Sequence, residues 1–403
     1  MANGTCRGTG CALRLCTALN LSRADAEATF QLCLPTSIRM AGTDRQKEAS
    51  WKHSSLTVRA FVPPLFMQSF SVFDRASPAL LQWLEIAGNP IDVRAGETLI
   101  HEGQRSESLF VLQKGNLSVF TTNQKQGQDR LATLTPGSLL GEMSWLEQRP
   151  AVASTTADTE CSVLSIPGQA LATLGGLDPD LTAELHCFFA QKLALQIQQQ
   201  NAWAHRLKSQ PNPVEALRKV LVLFAKLHEQ DVHRLAGWGQ LQRLQPHSVL
   251  LRQGHPVPAL YLILSGEAEV LLTLDGNTQE VGSSRRGELI GEMSLLLDEQ
   301  EGAAASVETA QGMDVLAFDR LRLQEALDGD PKLATRFYTG LACMLSQRSR
   351  DQLIRHQRAI ASQEVELDSI GRLDLEDLSS ISRAARHFDW LCKHFQACEG
   401  ASA

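Results

Sequence analysis

Aromatic side chains are scarce in this 403-residue sequence, 5% in all with only two tyrosines. Because 43% of residues are hydrophobic, the interior must be mostly aliphatic, and a disordered or collagen-like chain is excluded. Cysteine is thin as well. Nine at irregular spacing are too few for a disulfide framework and read as reduced thiols, which points to a cytoplasmic protein. No run approaches the roughly 20 apolar residues of a spanning helix, since VLVLFAKLHEQ (220–230) is broken by Lys226. CALRLCTALNL (11–21) has the length of a signal-peptide core, but Arg14 interrupts it and no small-residue cleavage site follows, so no cleaved leader is expected. Basic residues are outnumbered, 38 to 45, and a net charge of −7 argues against a polyanion-binding surface over the whole molecule. Also lacking are a Walker loop, a Gly-x-Ser-x-Gly elbow, His-Glu-x-x-His and a dinucleotide fingerprint after a strand, so no enzyme is expected.

What is present is a long internal repeat. GETLIHEGQRSESLFVLQKGNLSVF (96–120) lies over HSVLLRQGHPVPALYLILSGEAEVL (247–271), pairing Gly103 with Gly254 and Gly115 with Gly266 at an offset of 151. PGSLLGEMSWL (136–146) lies over RGELIGEMSLL (286–296) at 150, and 178–200 lies over 330–352 at 152. Three blocks in one order at nearly one offset mean a duplicated domain, because a solenoid unit would be roughly 20 to 50 residues.

Within each copy SLFVL, LSVF, LYLIL and AEVLL read as short antiparallel strands, with turns at Lys114-Gly115 and Ser265-Gly266. Short strands with Gly turns fit a sandwich or jelly roll. The closing block is helical. Asp178-Pro179 and Asp330-Pro331 set an N-cap acid before a proline at the first helical position. Leu181, Leu185, Phe189, Leu193 and Ile197, and likewise Leu333, Phe337, Leu341 and Leu345, then recur every four residues as a buried stripe.

This combination resembles the cyclic-nucleotide-binding domain family, the β-roll with flanking helices of catabolite activator proteins, kinase regulatory subunits and gated channels. The resemblance covers 67–205 and 215–357 and rests most specifically on the phosphate-binding cassette, written Gly-Glu-Leu-Ala-Leu, a variable turn, then Pro-Arg-Ala-Ala. In the family the amides of a short helix bind the cyclic phosphate, the Glu accepts from a ribose hydroxyl, and the Arg neutralises the phosphate. The resemblance implies a cyclic nucleotide, cAMP or cGMP, as ligand and no other cofactor. It assigns Gly141, Glu142, Met143 and Ser144 to the opening of the first cassette, with Arg149 and Ala153 near its close, and Gly291, Glu292, Met293 and Ser294 to the second. The implied architecture is mainly β with flanking α: a flexible extension at 1–66, tandem β-rolls at 67–205 and 215–357, and a short helical tail at 363–403.

The closing halves depart from the pattern. The first copy reads Arg149-Pro150-Ala151-Val152-Ala153, with Ala151 in the family's Arg position. The second reads Glu299-Gln300-Glu301-Gly302-Ala303-Ala304, with two added residues and no Pro or Arg. Without its guanidinium a buried phosphate relies on backbone amides and a helix dipole worth about 0.3 to 1 kcal/mol, against several kcal/mol for an uncompensated charge. The second pocket is therefore expected not to hold a cyclic nucleotide. Arg149 reaching into the first roll would keep binding alive there. Without a ligand, Glu142 and Glu292 read as caps of their short helices, and Met143, Met293, Leu295 and Leu296 read as core.

Outside the repeat, Cys6, Cys11, Cys16 and Cys33 read as part of a flexible leader. In the tail, His387, His394 and Cys398 share a helical face with Cys392 nearby, but the pattern reads as an amphipathic helix packed through Phe388, Leu391 and Phe395, so no metal is expected. Residues 363–403 hold four Lys or Arg against eight Asp or Glu, the wrong sign for a DNA-recognition helix. Two readings stand at this point. In one, a non-enzymatic regulator senses a cyclic nucleotide or small anion through copy one, with copy two degenerate. In the other, a ligand-free scaffold uses its helices to hold a protein partner or a second copy of itself.

Overall fold

A computed structural model gives the fold and describes residues 72–122, 127–204, 222–274, 276–297, 302–361 and 375–397. The expected leader with its four cysteines lies outside the described residues, as does Cys398. Among the described residues no helix is long and apolar enough to cross a membrane.

The first copy opens with α1 (Pro78–Ala87), whose N-cap Ser77 accepts from Leu80 N at 3.1 Å. Strands β1 (Asn89–Val93), β2 (Thr98–Ile100), β3 (Ser108–Lys114), β4 (Leu117–Thr122), β5 (Gln128–Leu134), β6 (Leu139–Leu140), β7 (Ser154–Ala157) and β8 (Cys161–Pro167) follow. They form two four-stranded antiparallel sheets ordered β1-β8-β3-β6 and β2-β7-β4-β5, the jelly roll that the short strands called for. A short helix α2 (Glu142–Glu147) sits between β6 and β7, and α3 (Gly168–Leu177) and the long α4 (Pro179–Ala204) close the copy.

The second copy repeats this plan. After α5 (Val222–Lys226) and α6 (Glu229–Trp238) come β9 (Gly239–Leu244), β10 (Ser248–Leu251), β11 (Ala259–Leu274), β12 (Asn277–Arg285) and β13 (Leu289–Ile290). Then come α7 (Glu292–Leu296), β14 (Ser306–Thr309), β15 (Met313–Asp319), α8 (Arg320–Gly329) and the long α9 (Pro331–Ala361), with the tail helix α10 (Leu375–Ala397) last. One expectation changes here. Ser265-Gly266 is not a turn between two strands, because β11 runs through it with a register shift between Ile263 and Ser265. Gly266 takes φ 87, and a Cβ there would lie 2.6 Å from Met313 Cβ, so glycine lets one strand pass between the sheets without a break.

Strand alternation sorts the core. Phe110 and Leu112 face the first roll while Leu109 and Val111 face the helices, and in the second copy Tyr261 and Ile263 oppose Leu260, Leu262 and Leu264. Each roll thus has a small core of its own. A third core joins the helices of both copies, and the long-helix stripes Leu181, Leu185, Phe189, Leu193, Ile197 and Leu333, Phe337, Leu341, Leu345 all belong to it. Each such side chain contributes roughly 1.5 to 3 kcal/mol by leaving water. Asp178 and Asp330 cap these helices as the sequence requires, accepting from Leu181 N at 3.0 Å and Leu333 N at 3.1 Å.

The long helices pair in parallel. Cys187 lies beside Tyr338, 151 positions on, and Gln196 Nε2 donates to Ser349 Oγ at 2.8 Å, 153 positions on. Partners that climb together at the repeat offset mean that each residue meets its own counterpart, the signature of a two-fold relation between the copies. The contacts are reciprocal, since α2 of the first copy packs on α9 and α7 of the second on α4. Each long helix also anchors the helix that leads into its own domain's first strand, α1 or α6, from equivalent positions and with opposite charge. Glu184 accepts from Ser77 N at 2.7 Å and Oγ at 2.8 Å, and Arg336 makes a bidentate pair with Asp231 at 2.6 and 2.7 Å.

Candidate functional site

Each cassette begins with a glycine in the left-handed region, Gly141 at φ 86 and Gly291 at φ 93. A Cβ at Gly141 would stand 2.6 Å from Ser108 O, so only glycine turns the chain from strand into short helix against β3. The turn drives the next side chain inward, leaving Glu142 2% and Glu292 4% exposed. Both carboxylates lie in the first turn of their short helices, at the positive end of the helix dipole. A carboxylate at that depth needs a cation, and the long helices supply one. Glu142 Oε1 is paired with Lys192 Nζ on α4, which also donates to Gln196 Oε1 at 2.6 Å. Glu292 Oε1 receives Arg348 Nη1 of α9 at 3.1 Å. Burial pushes the Glu292 carboxyl up, and Arg348 pulls it back only in part.

The closing ends coincide in space despite their different lengths. Gly103 N donates to Ala151 O at 2.9 Å and Ala151 N to Gln104 O at 2.8 Å; Gly254 N donates to Ala303 O and Ala303 N to His255 O, both at 2.8 Å. Alanine therefore stands at the equivalent place in both copies, Ala151 half-buried and Ala303 buried. Glu299, Gln300 and Glu301 lie outside the described residues. The cassette serines close their own turns: Ser144 Oγ donates to Arg149 O at 2.5 Å and accepts from Ser106 N at 3.3 Å, and Ser294 Oγ donates to Gly302 O at 3.5 Å. Met143 and Met293 are half-buried against the shared core, and Ala153 is buried. Arg149 is half-buried, and its charge acts on Glu147 of α2.

The sequence reading missed the cations and the reach between copies. Beyond Lys192 and Arg348, α9 lays one face on the first cassette: Cys343 Sγ donates to Leu146 O at 3.5 Å, Ser346 Oγ bonds Glu147 Oε1, and Arg350 Nη1 donates to Pro150 O at 3.0 Å. Arg350 Nε lies 3.0 Å from Glu147 Oε2, an ion pair whose N–H is off the line of a hydrogen bond. The Glu147 side chain is 1% exposed; burial raises its pKa, and Arg350, Ser346 and Arg149 oppose the rise. A periodicity reading sees only the apolar stripe, and the cations beside it pass as solvated face.

The tail helix is amphipathic as expected and packs on the second copy. Phe388 and Leu391 are buried, Phe388 meets Phe224 at 5.9 Å between ring centroids, and Arg286 lies 5.2 Å from the Phe388 centroid. His387 Nδ1 is 3.2 Å from Phe224 O, whereas His394 stacks on Trp390, so the two histidines serve different neighbours.

The model of the cyclic nucleotide-binding domain matches residues 90–175 and 241–330, inside the two repeats. Among curated relatives, the cGMP-dependent protein kinase egl-4 of Caenorhabditis briggsae is 26% identical over 229 residues, covering 56% of this chain and 26% of the kinase. The cAMP-dependent protein kinase regulatory subunit of Mucor circinelloides is 24% identical over 226 residues, covering 55% of this chain and 45% of the subunit. The chain thus spans about a quarter of the kinase and under half of the subunit. Among solved structures, the regulatory domain of Toxoplasma gondii PKA with cAMP covers 66% of this chain and 92% of its own at 16% identity, with a TM-score of 0.26. Two copies of one domain, each with its glycine-glutamate cassette in a jelly roll, identify residues 90–175 and 241–330 as two cyclic nucleotide-binding domains in tandem.

Proposed function

We propose that this is a non-catalytic regulatory protein that acts through protein contacts, with neither domain taking a cyclic nucleotide. The observation that carries the reading is the occupation of both cassette glutamates, Glu142 by Lys192 and Glu292 by Arg348. Oε1 of each is held by that cation, so a ribose hydroxyl would have to compete for a carboxylate whose charge is already neutralised. Ala151 and Ala303 offer no charge to a phosphate, and Arg149 serves Glu147. The paired long helices and the tail supply the surfaces on which a regulatory partner or a second copy would act, in a cytoplasmic setting. Competition binding with a fluorescent cyclic nucleotide tests it. No saturable binding of cAMP or cGMP to the full chain at about 1 mM is the expected outcome, weaker than a contact of about −4 kcal/mol. Saturable binding at micromolar nucleotide would overturn it. A second reading, a sensor working through domain one, draws support from the intact Gly141–Ser144 opening and from the cyclic-nucleotide-dependent names of the relatives. Binding that is lost in Glu142→Gln would favour it.

A further inference from the structure

The tail helix α10 lies on α5 and α6 of the second copy, and histidines line the rim of that seam. Trp390 of α10 stacks with two imidazoles, one from each side of the joint. His233 of α6 stands 4.1 Å away between ring centroids at 12° between planes, and His394 of α10 stands 5.0 Å away at 16°. His387 turns Nδ1 to Phe224 O of α5 at 3.2 Å. Inside the rim Phe388 and Leu391 are buried, but the packing is incomplete, with a cavity of about 10 Å³ between Leu391, Leu223, Phe224, Leu235 and Phe337. Walls around a void lose dispersion contacts, which leaves more of the hold to the rim.

Apolar contacts do not respond to pH, and the rim does. An imidazole changes charge near pH 6.5, and the imidazolium is drawn to the face of an indole by a factor of roughly two to five at an exposed site. His394 lies one turn from Trp390 on the same helix and keeps it whether or not the tail is docked, whereas His233 meets it only in the docked state. The other charges at the seam divide. On α6, Asp231 and Arg234 are paired with Arg336 and Asp330, and Glu229, one turn before His233, attracts an imidazolium. On α10, Asp389 is paired with Lys393, while Arg383, Arg386 and a charged His394 repel one. Lys226 ends α5, and Arg286 is held on Phe388 and on Cys392 Sγ, 3.6 Å away. His233, Arg383, Arg386 and His394 are exposed, so their repulsion is screened by salt, and the direct stack prevails. We infer that His233 and Trp390 form a pH-responsive clasp, in which protonation of His233 tightens the hold of the tail on the second copy and loss of that proton loosens it. Loosening offers Phe224, Phe388 and Leu391 to a partner. The clasp stands whether or not either domain takes a nucleotide.

Amide hydrogen exchange on the full chain at about pH 7.5 and about pH 5.5, corrected for the intrinsic effect of pH, reads the hold. Protection at residues 384–395, relative to 333–345 of α9, is expected to be about threefold higher at the lower pH. His233→Phe keeps a ring on Trp390 without the charge, so the tail stays docked and the increment is lost. His394→Phe removes a competing cation from the tail itself and keeps the increment. Trp390→Phe, with a weaker ring face, shrinks it and serves where His233→Phe fails to hold the tail. A wild-type protein with no increment, or one that loses protection at the lower pH, would overturn the inference. So would an increment undiminished in His233→Phe or in Trp390→Phe, or one that disappears only in His394→Phe.

Discussion

Lys192→Met and Glu142→Gln separate the two ends of one contact. With its cation gone, Glu142 keeps a charge at 3% side-chain exposure, so Lys192→Met is expected to cost about 3 kcal/mol in urea denaturation. Glu142→Gln leaves Lys192, 18% exposed, free to turn outward, and is expected to cost about 1 kcal/mol. Equal losses would mean that the pair is not what holds the carboxylate. Gly141→Ala should cost about 2 kcal/mol or more in a thermal melt, because φ 86 and the 2.6 Å approach to Ser108 O both forbid a Cβ. At this scale the cassette openings were legible, since Gly-Glu before a short helix is a local pattern. The partners of the glutamates were not, because Lys192 and Arg348 lie 50 and 56 positions away and nothing local marks a cation beside an apolar stripe as bound.

Between elements, the same joint is made twice with opposite charge, and only one version is expected to respond to pH through an arginine pair. Asp231 is 3% exposed, and burial works against its ionised form, yet the bidentate Arg336 and the amide of His228 hold the carboxyl below its ordinary range. A depressed carboxylate contributes its full stability above its unfolded pKa of about 3.9 and loses it as pH falls through the folded value. Arg336→Met should therefore lower the melting temperature at pH 7 and cost progressively less below about pH 4. A constant deficit would contradict the assignment. Strands, helix caps and stripes were all readable from period and punctuation. The passage of β11 through Ser265-Gly266 was not, because a glycine at positive φ serves a turn and a bulge equally well, and only the pairing of Gly266 with Met313 decides.

Across the whole molecule, a repeat offset tells that a domain is duplicated and not how the duplicates meet. Here they meet through parallel long helices, each residue near its counterpart, and α9 crosses to the first cassette. The resemblance was enough for the roll and the cassette. That both cassette glutamates are tied to long helices depends on contacts between distant elements, which no motif encodes. We propose that these ties, with alanine at the closing position, leave no working nucleotide site. The most direct test is a calorimetric titration of the full chain with cAMP and then cGMP. No saturable heat at about 1 mM nucleotide is expected. Saturable heat from wild-type protein, abolished in Glu142→Gln, would contradict it.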